Sequence, residues 1–357
     1  MGKEFGYTTG TYAAAAAKAA LVALLGERDV SQVGVRLPMS GEAKIPVSRV
    51  ERSGDYVKCG VVKKSVEEND VTDKIEIFAR VSLRKDSQIV IDGGIGIGRI
   101  TKKGLQLPVG EAAINPGPRR MIRDSVRELT SRGVDVVISA PLGEEVAIAT
   151  TNSRLGIIGG ISIIGTTGIM RAKSSVSFKE TILRQLDFCR ENGLREIVIT
   201  PGNISEEAML AHFGDRVCKE RIVQSGDFLG FTLSRAHGLG LGFVLAGHPG
   251  KLAKVLGGYF QTHHTKSPPA NDSVIRLLEK SVSKELVKEM KESPTVEGIA
   301  VILEEHGKTE LLNNVADAIE ERVRKYLKAD FSVPVLLIGM DKRLMGFSRT
   351  GAKWARG

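Results

Sequence analysis

The first part of the chain changes from a helical pattern to a strand pattern. Alanine dominates residues 13–25, and because alanine is the best helix former, this run predicts a helix. Thr9 or Thr11 can cap its N-terminus, and Gly26 can end it. Short runs of apolar and β-branched residues, separated by polar turns, then predict strands at 33–37, 56–62, 75–83 and 89–91.

The next segment predicts a loop, a helix and a further strand. Residues 92–118 are rich in Gly and Pro, which is typical of a loop. Residues 119–132 place apolar side chains on one face of a helix, and the apolar run 134–140 predicts a strand. We therefore expect residues 1–150 to form an N-terminal α+β domain with a largely antiparallel sheet.

From about residue 155, strands and helices alternate with glycine-rich turns between them. Short apolar strands that alternate with helices favour a mainly parallel sheet covered on both faces, so residues 151–357 predict a C-terminal three-layer α/β domain. The predicted strands are 157–164, 196–200, 221–223 and 241–246. The predicted helices are 177–191, 206–213, 228–236 and about 251–259.

The C-terminal part of this domain has a mostly helical pattern. Residues 274–328 predict helix with one interruption near 293–294, and residues 333–338 predict a strand in which Pro334 indicates an edge position or a strand start. From Lys342 onwards there are five basic side chains and no acid. This composition predicts a mobile tail that can close over an anionic ligand.

The chain carries an excess of positive charge, with 51 Lys and Arg against 42 Asp and Glu and a net charge of +9. A solvated basic surface and an anionic partner both explain this excess. Nucleic acid is the weaker candidate partner, because the five Tyr and one Trp do not interleave with basic residues as a base-stacking groove requires. A polycarboxylate or phosphate ligand fits the charge at least as well.

Cysteine usage and the apolar segments indicate a soluble cytoplasmic protein. Three widely spaced cysteines without a CxxC motif favour neither a disulfide framework nor a thiolate zinc site. The N-terminal residues lack the pattern of a signal peptide, and the longest uncharged run, between Arg154 and Arg171, is too short to span a bilayer. The sequence is compatible with a homo-oligomer but does not specify one.

A glycine-rich segment follows the strand predicted at 89–91. Its sequence, IDGGIGIG at 91–98, resembles a nucleotide-binding loop, but such a loop opens a helix, and residues 99–108 have no amphipathic helical pattern. We therefore exclude a dinucleotide-binding loop. The glycines instead permit a flat ligand to approach the backbone closely. Three cations follow this segment in the sequence, Arg99, Lys102 and Lys103.

Two further motifs place polar groups at helix starts. Arg119 and Arg120 begin a predicted helix, where basic side chains oppose the helix dipole, so either a bound anion or a simple surface pair explains them. Thr8, Thr9 and Thr11 offer more hydroxyl groups than a helix cap requires, which leaves a cap and a ligand contact as alternatives.

His248 lies in the turn GHPGK at 247–251, between a predicted strand and a predicted helix. It is the histidine best placed to titrate near neutrality, and a structural and a catalytic role are equally compatible with this turn. The histidines at 263–264 lack the carboxylate or cysteine spacing of a metal site, so we expect no metal site.

Four of these segments resemble, in the same order, the motifs of one family. They are GYTTGT at 6–11, GGIGIGRIT at 93–101, VGEAAINP at 109–116 and GHPGK at 247–251. The family is CbiD, the cobalt-precorrin-5B C(1)-methyltransferases of anaerobic cobalamin biosynthesis. The resemblance implies methyl transfer from S-adenosylmethionine to C-1 of cobalt-precorrin-5B, giving cobalt-precorrin-6A. This anionic cobalt-tetrapyrrole suits Arg and Lys clusters, and its cobalt needs no protein ligand.

The resemblance and the turns together predict the site residues. We expect the cofactor at strand ends of the second domain, in contact with Thr200, Gly202, Asn203, Gly247, Gly250 and Lys251. We expect the macrocycle on the first domain, in contact with Thr8, Thr9, Thr11, Gly94, Gly96, Gly98, Arg99, Asn115, Arg119 and Arg120. His248 or Asp227 is the candidate base that removes a proton from the macrocycle.

Two other functions stay open. One is a different cobalamin-pathway or anion-binding enzyme that uses the same scaffold without methyl transfer, and binding of S-adenosylmethionine separates the two. The other is nucleic-acid binding through the basic surplus, which would make affinity steeply salt-dependent. It ranks last because acidic residues are interspersed along most of the chain.

Overall fold

The computed structural model describes residues 6–26, 30–39, 41–66, 70–170 and 175–357. Two compact units divide the chain, Met1–Ser174 and Ser175–Gly357. The division expected near residue 150 therefore falls inside the first unit. The reason is that short strands after residue 156 pair with strands of that unit.

The first unit contains short strands and three helices in the described residues. The strands are β1 (Gly6–Tyr7), β2 (Gln32–Arg36), β3 (Glu42–Pro46), β4 (Arg49–Ser53), β5 (Tyr56–Val62), β6 (Glu76–Leu83), β7 (Ile89–Gly93), β8 (Gly96–Ile97), β9 (Arg99–Ile100), β10 (Val134–Ser139), β11 (Ile157–Ile158), β12 (Gly160–Ile161) and β13 (Ile169–Met170). The helices are α1 (Thr9–Gly26), α2 (Pro116–Arg127) and α3 (Gly143–Ile148).

A five-stranded sheet in the order β4-β5-β6-β10-β7 forms the frame of this unit. Every neighbouring pair is antiparallel except β10 and β7, so the prediction of a largely antiparallel sheet is confirmed. The described residues of this unit also form four two-stranded ribbons, β1–β13, β2–β3, β9–β11 and β8–β12. The predicted strand 157–164 is thus divided between two of these ribbons.

Helix α1 lies in the core of the first unit. It packs against β5, β6 and α2, and all its alanines are buried. Methyl side chains let the helix backbone lie close to the sheet. α1 is also long and apolar enough to cross a membrane by composition, but most of it is buried inside the unit. Such burial is typical of the core helix of a folded domain.

The second unit alternates helices and strands, as the sequence predicts. Its strands are β14 (Glu196–Thr200), β15 (Ile222–Gln224), β16 (Gly242–Gly247), β17 (Val335–Ile338) and β18 (Leu344–Phe347). Its helices are α4 (Ser175–Glu191), α5 (Asn203–Phe213), α6 (Leu229–Gly238), α7 (Pro249–Leu252), α8 (Asn271–Leu278), α9 (Lys284–Glu292), α10 (Val296–Glu305), α11 (Leu311–Leu327) and α12 (Arg349–Arg356).

The sheet of this unit has the order β15-β14-β16-β17-β18, and its first four strands are parallel. α5 and the Trp354 side chain of α12 pack on one face, against an apolar cluster that includes Val198, Val244 and Leu336. α4 and α11 contact α6, which contacts β16, and form the other layer. The predicted three-layer α/β arrangement is therefore confirmed.

At the C-terminal end, one of the two alternatives for Pro334 is confirmed, and the expectation of a mobile tail is wrong. β17 lies between β16 and β18 in the sheet, so Pro334 marks the start of a strand and not an edge. The residues after Lys342 form β18 and α12, not a mobile tail. Their apolar side chains explain the error: Phe347 and Trp354 pack against the apolar cluster of the sheet, while the basic side chains between them dominate the composition.

Candidate active site

The strand order of the second unit places a topological switch point, where open α/β sheets have a crevice, at the carboxyl ends of β14 and β16. From β14 the chain passes through α5 to β15 on one side, and then through α6 to β16 on the other. The chain leaves β14 towards β15 and leaves β16 towards β17, so these two connections run in opposite directions across the sheet. In open α/β sheets, ligands bind at such a switch point, beside the carboxyl ends of the strands. The predicted cofactor residues all lie at these strand ends.

Polar groups of β14, β15 and α5 meet on one side of this crevice. Thr200 is fully buried, and its hydroxyl oxygen has no hydrogen-bond partner in the described part of the chain. The side-chain amide of Gln224 donates to Asn203 Oδ1 and to Glu206 Oε2, both at 2.7 Å. A side-chain carbon added to Gly202 would meet no atom within 4 Å. This edge thus combines an unpartnered buried hydroxyl with open space above a glycine.

The loops that follow β15 and β16 are joined by an ion pair. Lys251 Nζ lies 3.1 Å from Asp227 Oδ1. Thr262 supports Asp227, since its amide N–H donates to the Asp227 carbonyl at 2.9 Å and its hydroxyl contacts Oδ1 at 3.3 Å. Lys254 donates to the Thr262 carbonyl at 2.7 Å and contacts the Ser267 hydroxyl at 3.0 Å. Burial lowers the pKa of Lys254, with the nearby Asp227 charge acting in the opposite direction.

Both ring nitrogens of His248 face protein groups. Nδ1 accepts the N–H of Gly250 at 3.1 Å, so His248 caps α7. Since Nδ1 is an acceptor, Nε2 carries the proton in the neutral ring, and it contacts the Glu297 carboxylate. The other oxygen of Glu297 accepts the N–H of Met340 at 3.3 Å. In this arrangement His248 connects the end of β16 to α10, and its catalytic role stays a prediction.

In the first unit, the predicted threonines make internal hydrogen bonds. The hydroxyl of Thr8 accepts the N–H of Thr11 at 3.3 Å, so Thr8 caps α1, which corrects the expectation of a cap at Thr9 or Thr11. The Thr9 hydroxyl accepts the N–H of Ile164 at 2.9 Å, and the Thr11 hydroxyl donates to the Gly168 carbonyl at 2.7 Å. These hydroxyls fix α1 to the segment before β13, and their contact with a substrate stays a prediction.

The glycines of the segment 93–98 are required by the protein's own packing. A Cβ at Gly94 would collide with Ser139, and one at Gly98 with the side chain of Ile157. Gly96 has φ +73°, and a Cβ there would collide with the Ala140 carbonyl. The close approach inferred from the sequence is therefore made, at these positions, by neighbouring backbone and side chains.

The two predicted arginines nearest this segment are already paired. Arg99 forms an ion pair with Asp92 at 2.8 Å, and this hydrogen-bonded guanidinium holds the pKa of the Asp92 carboxyl below its ordinary value. Arg119 turns back from α2, donates to the Ile91 and Ile114 carbonyls at 3.0 and 2.8 Å, and pairs with Glu111 at 2.8 Å. These contacts explain a basic residue in the first turn of α2 without a bound anion.

Arg120 differs from its neighbour, because it is exposed and forms no ion pair with the described residues. Beside the glycine-rich segment, the structure also exposes the apolar side chains of Ile95, Leu142 and Ile148. The Ala140 N–H donates to the Ile95 carbonyl, and α3 contacts β8, so these three side chains belong to one region of the unit. A flat, partly apolar ligand with anionic edges fits an apolar surface with a free cation on the same unit.

Comparison with known proteins identifies the family. The CbiD family matches residues 1–172, and the CbiD C-terminal domain matches residues 261–349. Two relatives are described as cobalt-precorrin-5B C(1)-methyltransferase. The one from Alkaliphilus metalliredigens is 34% identical over 96% of this chain and 91% of its own length. The one from Desulfitobacterium hafniense is 40% identical over 92% of this chain and 85% of its own length. The chain belongs to the CbiD family.

A crystal structure of the cobalamin biosynthesis protein CbiD from Archaeoglobus fulgidus is 27% identical, with a TM-score of 0.37 over 69% of this chain and 77% of that one. A CbiD relative from a Geobacillus strain, also described as cobalt-precorrin-5B C(1)-methyltransferase, is 37% identical over 96% of this chain and 95% of its own. Membership of the family thus extends over nearly the whole length of both chains.

Sequence reasoning missed several polar residues of this CbiD chain. Gln224 and Glu206 lie beside Asn203, and Glu297 contacts His248 although 49 residues separate them in the chain. Gln224 ends a strand, which is a signal that could have found it. Glu297 lies in the first turn of α10, and its sequence gives no sign of the contact. Groups of three or more His, Cys, Asp or Glu able to hold a metal are absent from the described residues.

Proposed function

We propose that this chain methylates C-1 of cobalt-precorrin-5B to give cobalt-precorrin-6A, with S-adenosylmethionine as the methyl donor, in anaerobic cobalamin biosynthesis. Family membership over nearly the whole chain carries this assignment, since its relatives are described as cobalt-precorrin-5B C(1)-methyltransferases. A cytoplasmic location and an anionic cobalt-tetrapyrrole substrate belong to the same proposal.

The donor's place in this proposal is the crevice at the carboxyl end of β14. Thr200, Gly202, Asn203, Gly247, Gly250 and Lys251 line this edge of the sheet. The unpartnered Thr200 hydroxyl and the open space at Gly202 suit a ligand that carries polar groups. When bound, S-adenosylmethionine supplies a methyl group that its sulfonium already activates, so the residues here mainly bind and orient.

The macrocycle's place in this proposal is the first unit, beside the segment 93–98. The exposed Ile95, Leu142 and Ile148 side chains offer an apolar surface, and Arg120 offers a cation for a carboxylate. Arg119 and Arg99 then act indirectly, because they hold the glycine-rich segment in position through backbone carbonyls and Asp92. Thr8, Thr9 and Thr11 position α1 through hydrogen bonds of their hydroxyls, and Asn115, directly before α2, donates its backbone N–H to the Ile163 carbonyl at 3.0 Å.

His248 stays the candidate for accepting a proton from the macrocycle. To do so, its ring must leave either the Gly250 N–H or the Glu297 carboxylate. Full turnover by His248→Ala would remove this role.

Anaerobic incubation with cobalt-precorrin-5B and S-adenosylmethionine that carries a labelled methyl group tests the function. Label on C-1, detected by mass spectrometry and NMR, is the expected result. Binding of S-adenosylmethionine without transfer would favour another methyl-transfer substrate. Absence of both binding and transfer would contradict the proposal and favour an enzyme that keeps the scaffold without methylation.

A further inference from the structure

The Asp227–Lys251 ion pair lies at the ends of the two strands that flank β14. Asp227 follows β15 and Lys251 follows β16, while β14 lies between these strands. The pair therefore joins the two loops on either side of the β14 end, where Thr200 carries its unpartnered hydroxyl. Any ligand that enters the switch-point crevice therefore meets one negative and one positive side chain.

The two members of the pair differ in how firmly they are held. Thr262 fixes Asp227 through its backbone and its Oδ1 atom, and Lys254 in turn fixes Thr262. Lys251 is more exposed, with 41% of its side chain accessible against 28% for Asp227. Within the described residues, its side chain is held by the Asp227 contact. Lys251 can therefore move away while Asp227 keeps its position.

The other charged groups near these loops are engaged elsewhere. Lys254 is committed to Thr262 and Ser267, and His248 to Glu297. Glu206 accepts the amide of Gln224. Asp227 and Lys251 are thus the opposite charges that a ligand at this edge can separate with little loss, because a partly exposed ion pair contributes little stability.

We propose that Asp227 and Lys251 separate when S-adenosylmethionine binds and then hold the α-ammonium and the α-carboxylate of its methionyl group. This assignment rests on the proposed function. It gives Asp227 a ligand-holding role in place of the proton-accepting role expected from the sequence. The ion pair prepares the site, since the charges that the ligand's zwitterion requires already face each other, one on each loop.

Isothermal titration calorimetry with two probes tests the assignment on the full chain. S-adenosylhomocysteine carries the amino-acid group, whereas 5′-methylthioadenosine shares the adenosine thioether and lacks it. Asp227→Asn and Lys251→Met each remove a charge-assisted contact. We therefore expect each variant to lower the affinity for S-adenosylhomocysteine about 30-fold and to keep the affinity for methylthioadenosine within about 2-fold of the wild type. The control is Glu289→Gln, which changes an exposed residue of α9 that pairs with His306, and it should change the affinity for neither probe.

A charge-exchanged variant, Asp227→Lys with Lys251→Asp, separates binding from folding. It restores an ion pair between the loops but reverses the charges, so we expect the wild-type melting temperature and loss of preference for S-adenosylhomocysteine. Equal weakening of both probes in the single variants would overturn the assignment, as would a wild-type protein that binds the two probes equally. If the wild-type protein bound neither probe, the proposed function itself would fail.

Discussion

Arg119 shows how a single side chain can carry a structural task that its sequence position hides. A basic residue in the first turn of a helix opposes the helix dipole, and an anion site is a reasonable expectation. The guanidinium instead turns back to the backbone carbonyls of Ile114, before α2, and Ile91, within β7, and only 13% of the side chain is exposed. Its neighbour Arg120 points to solvent and is the better candidate for a substrate carboxylate.

Substitution of Arg119 should therefore cost stability, and substitution of Arg120 should not. We expect Arg119→Met to lower the free energy of unfolding by about 2 kcal/mol, because two carbonyls and Glu111 lose a largely buried donor. Arg120→Met should stay within about 0.5 kcal/mol of the wild type. Urea denaturation followed by circular dichroism measures both. A larger loss for Arg120→Met would contradict the structural role of Arg119.

Asp70 makes stability depend on pH at the acid end. Burial alone would raise its pKa, but hydrogen bonds from Lys63 and Thr72 outweigh burial and lower the pKa to about 2 from an ordinary 3.8. The folded pKa lies below the unfolded one, so the stabilisation is complete above pH 4 and is lost as pH falls towards 2. Because solvent screens this partly exposed group, we expect the free energy of unfolding to fall by about 1 kcal/mol over this pH range.

The matching variant is Asp70→Asn. It should flatten the decline in unfolding free energy between pH 4 and pH 2, measured by urea denaturation at a series of pH values. An unchanged pH dependence in this variant would show that other carboxylates cause the decline.

At the scale of elements, long periodic segments are predictable and short ones are not. The alanine run, the alternation in 56–83 and the strand–turn–helix rhythm of the second unit specify their elements, since the residues themselves prefer those conformations. The paired dipeptides depend on partners distant in the chain; they are β1, β8, β9, β11, β12 and β13. For the same reason, local pattern does not reveal Glu297 beside His248 or the use of Thr9 and Thr11.

Helix α12 provides a direct test of the corrected C-terminal end. The indole of Trp354 lies edge-on to Phe213 at 5.2 Å between ring centroids and donates to Glu196 at 3.0 Å. We expect Trp354→Ala to destabilise the second unit by about 2 kcal/mol and to expose the bond after Arg349 to limited trypsin digestion. Lys353→Met, at an exposed neighbouring position, should leave that bond resistant. Rapid cleavage in the wild type would contradict an ordered α12.

At the scale of the whole molecule, each unit has its own core and its own candidate ligand surface. The switch-point crevice belongs to the second unit, and the apolar surface with Arg120 belongs to the first. The distribution of charges and glycine-rich turns along the sequence predicts that the two ligands bind to different units. It does not predict which polar groups line each surface, because the switch point follows from strand order and strand order is set by packing.

Hydrogen exchange measured by mass spectrometry can assign the two ligands to the two units. We expect S-adenosylhomocysteine to slow exchange at 200–203, 225–227 and 247–251, since ligands at strand ends shield the loops that contact them. Cobyrinic acid, a stable cobalt macrocycle, should slow exchange at 93–99 and 140–148 instead. Protection of the same unit by both ligands would contradict the proposed division.

The position of the one Trp in the chain gives the protein a built-in optical probe of a single unit. Trp354 belongs to the second unit, so intrinsic tryptophan fluorescence should follow the unfolding of that unit and respond little to the first. Circular dichroism, which observes the helices of both, should then give a second transition or a different midpoint if the units unfold separately. Coincident midpoints would show instead that the two cores are lost in one cooperative event.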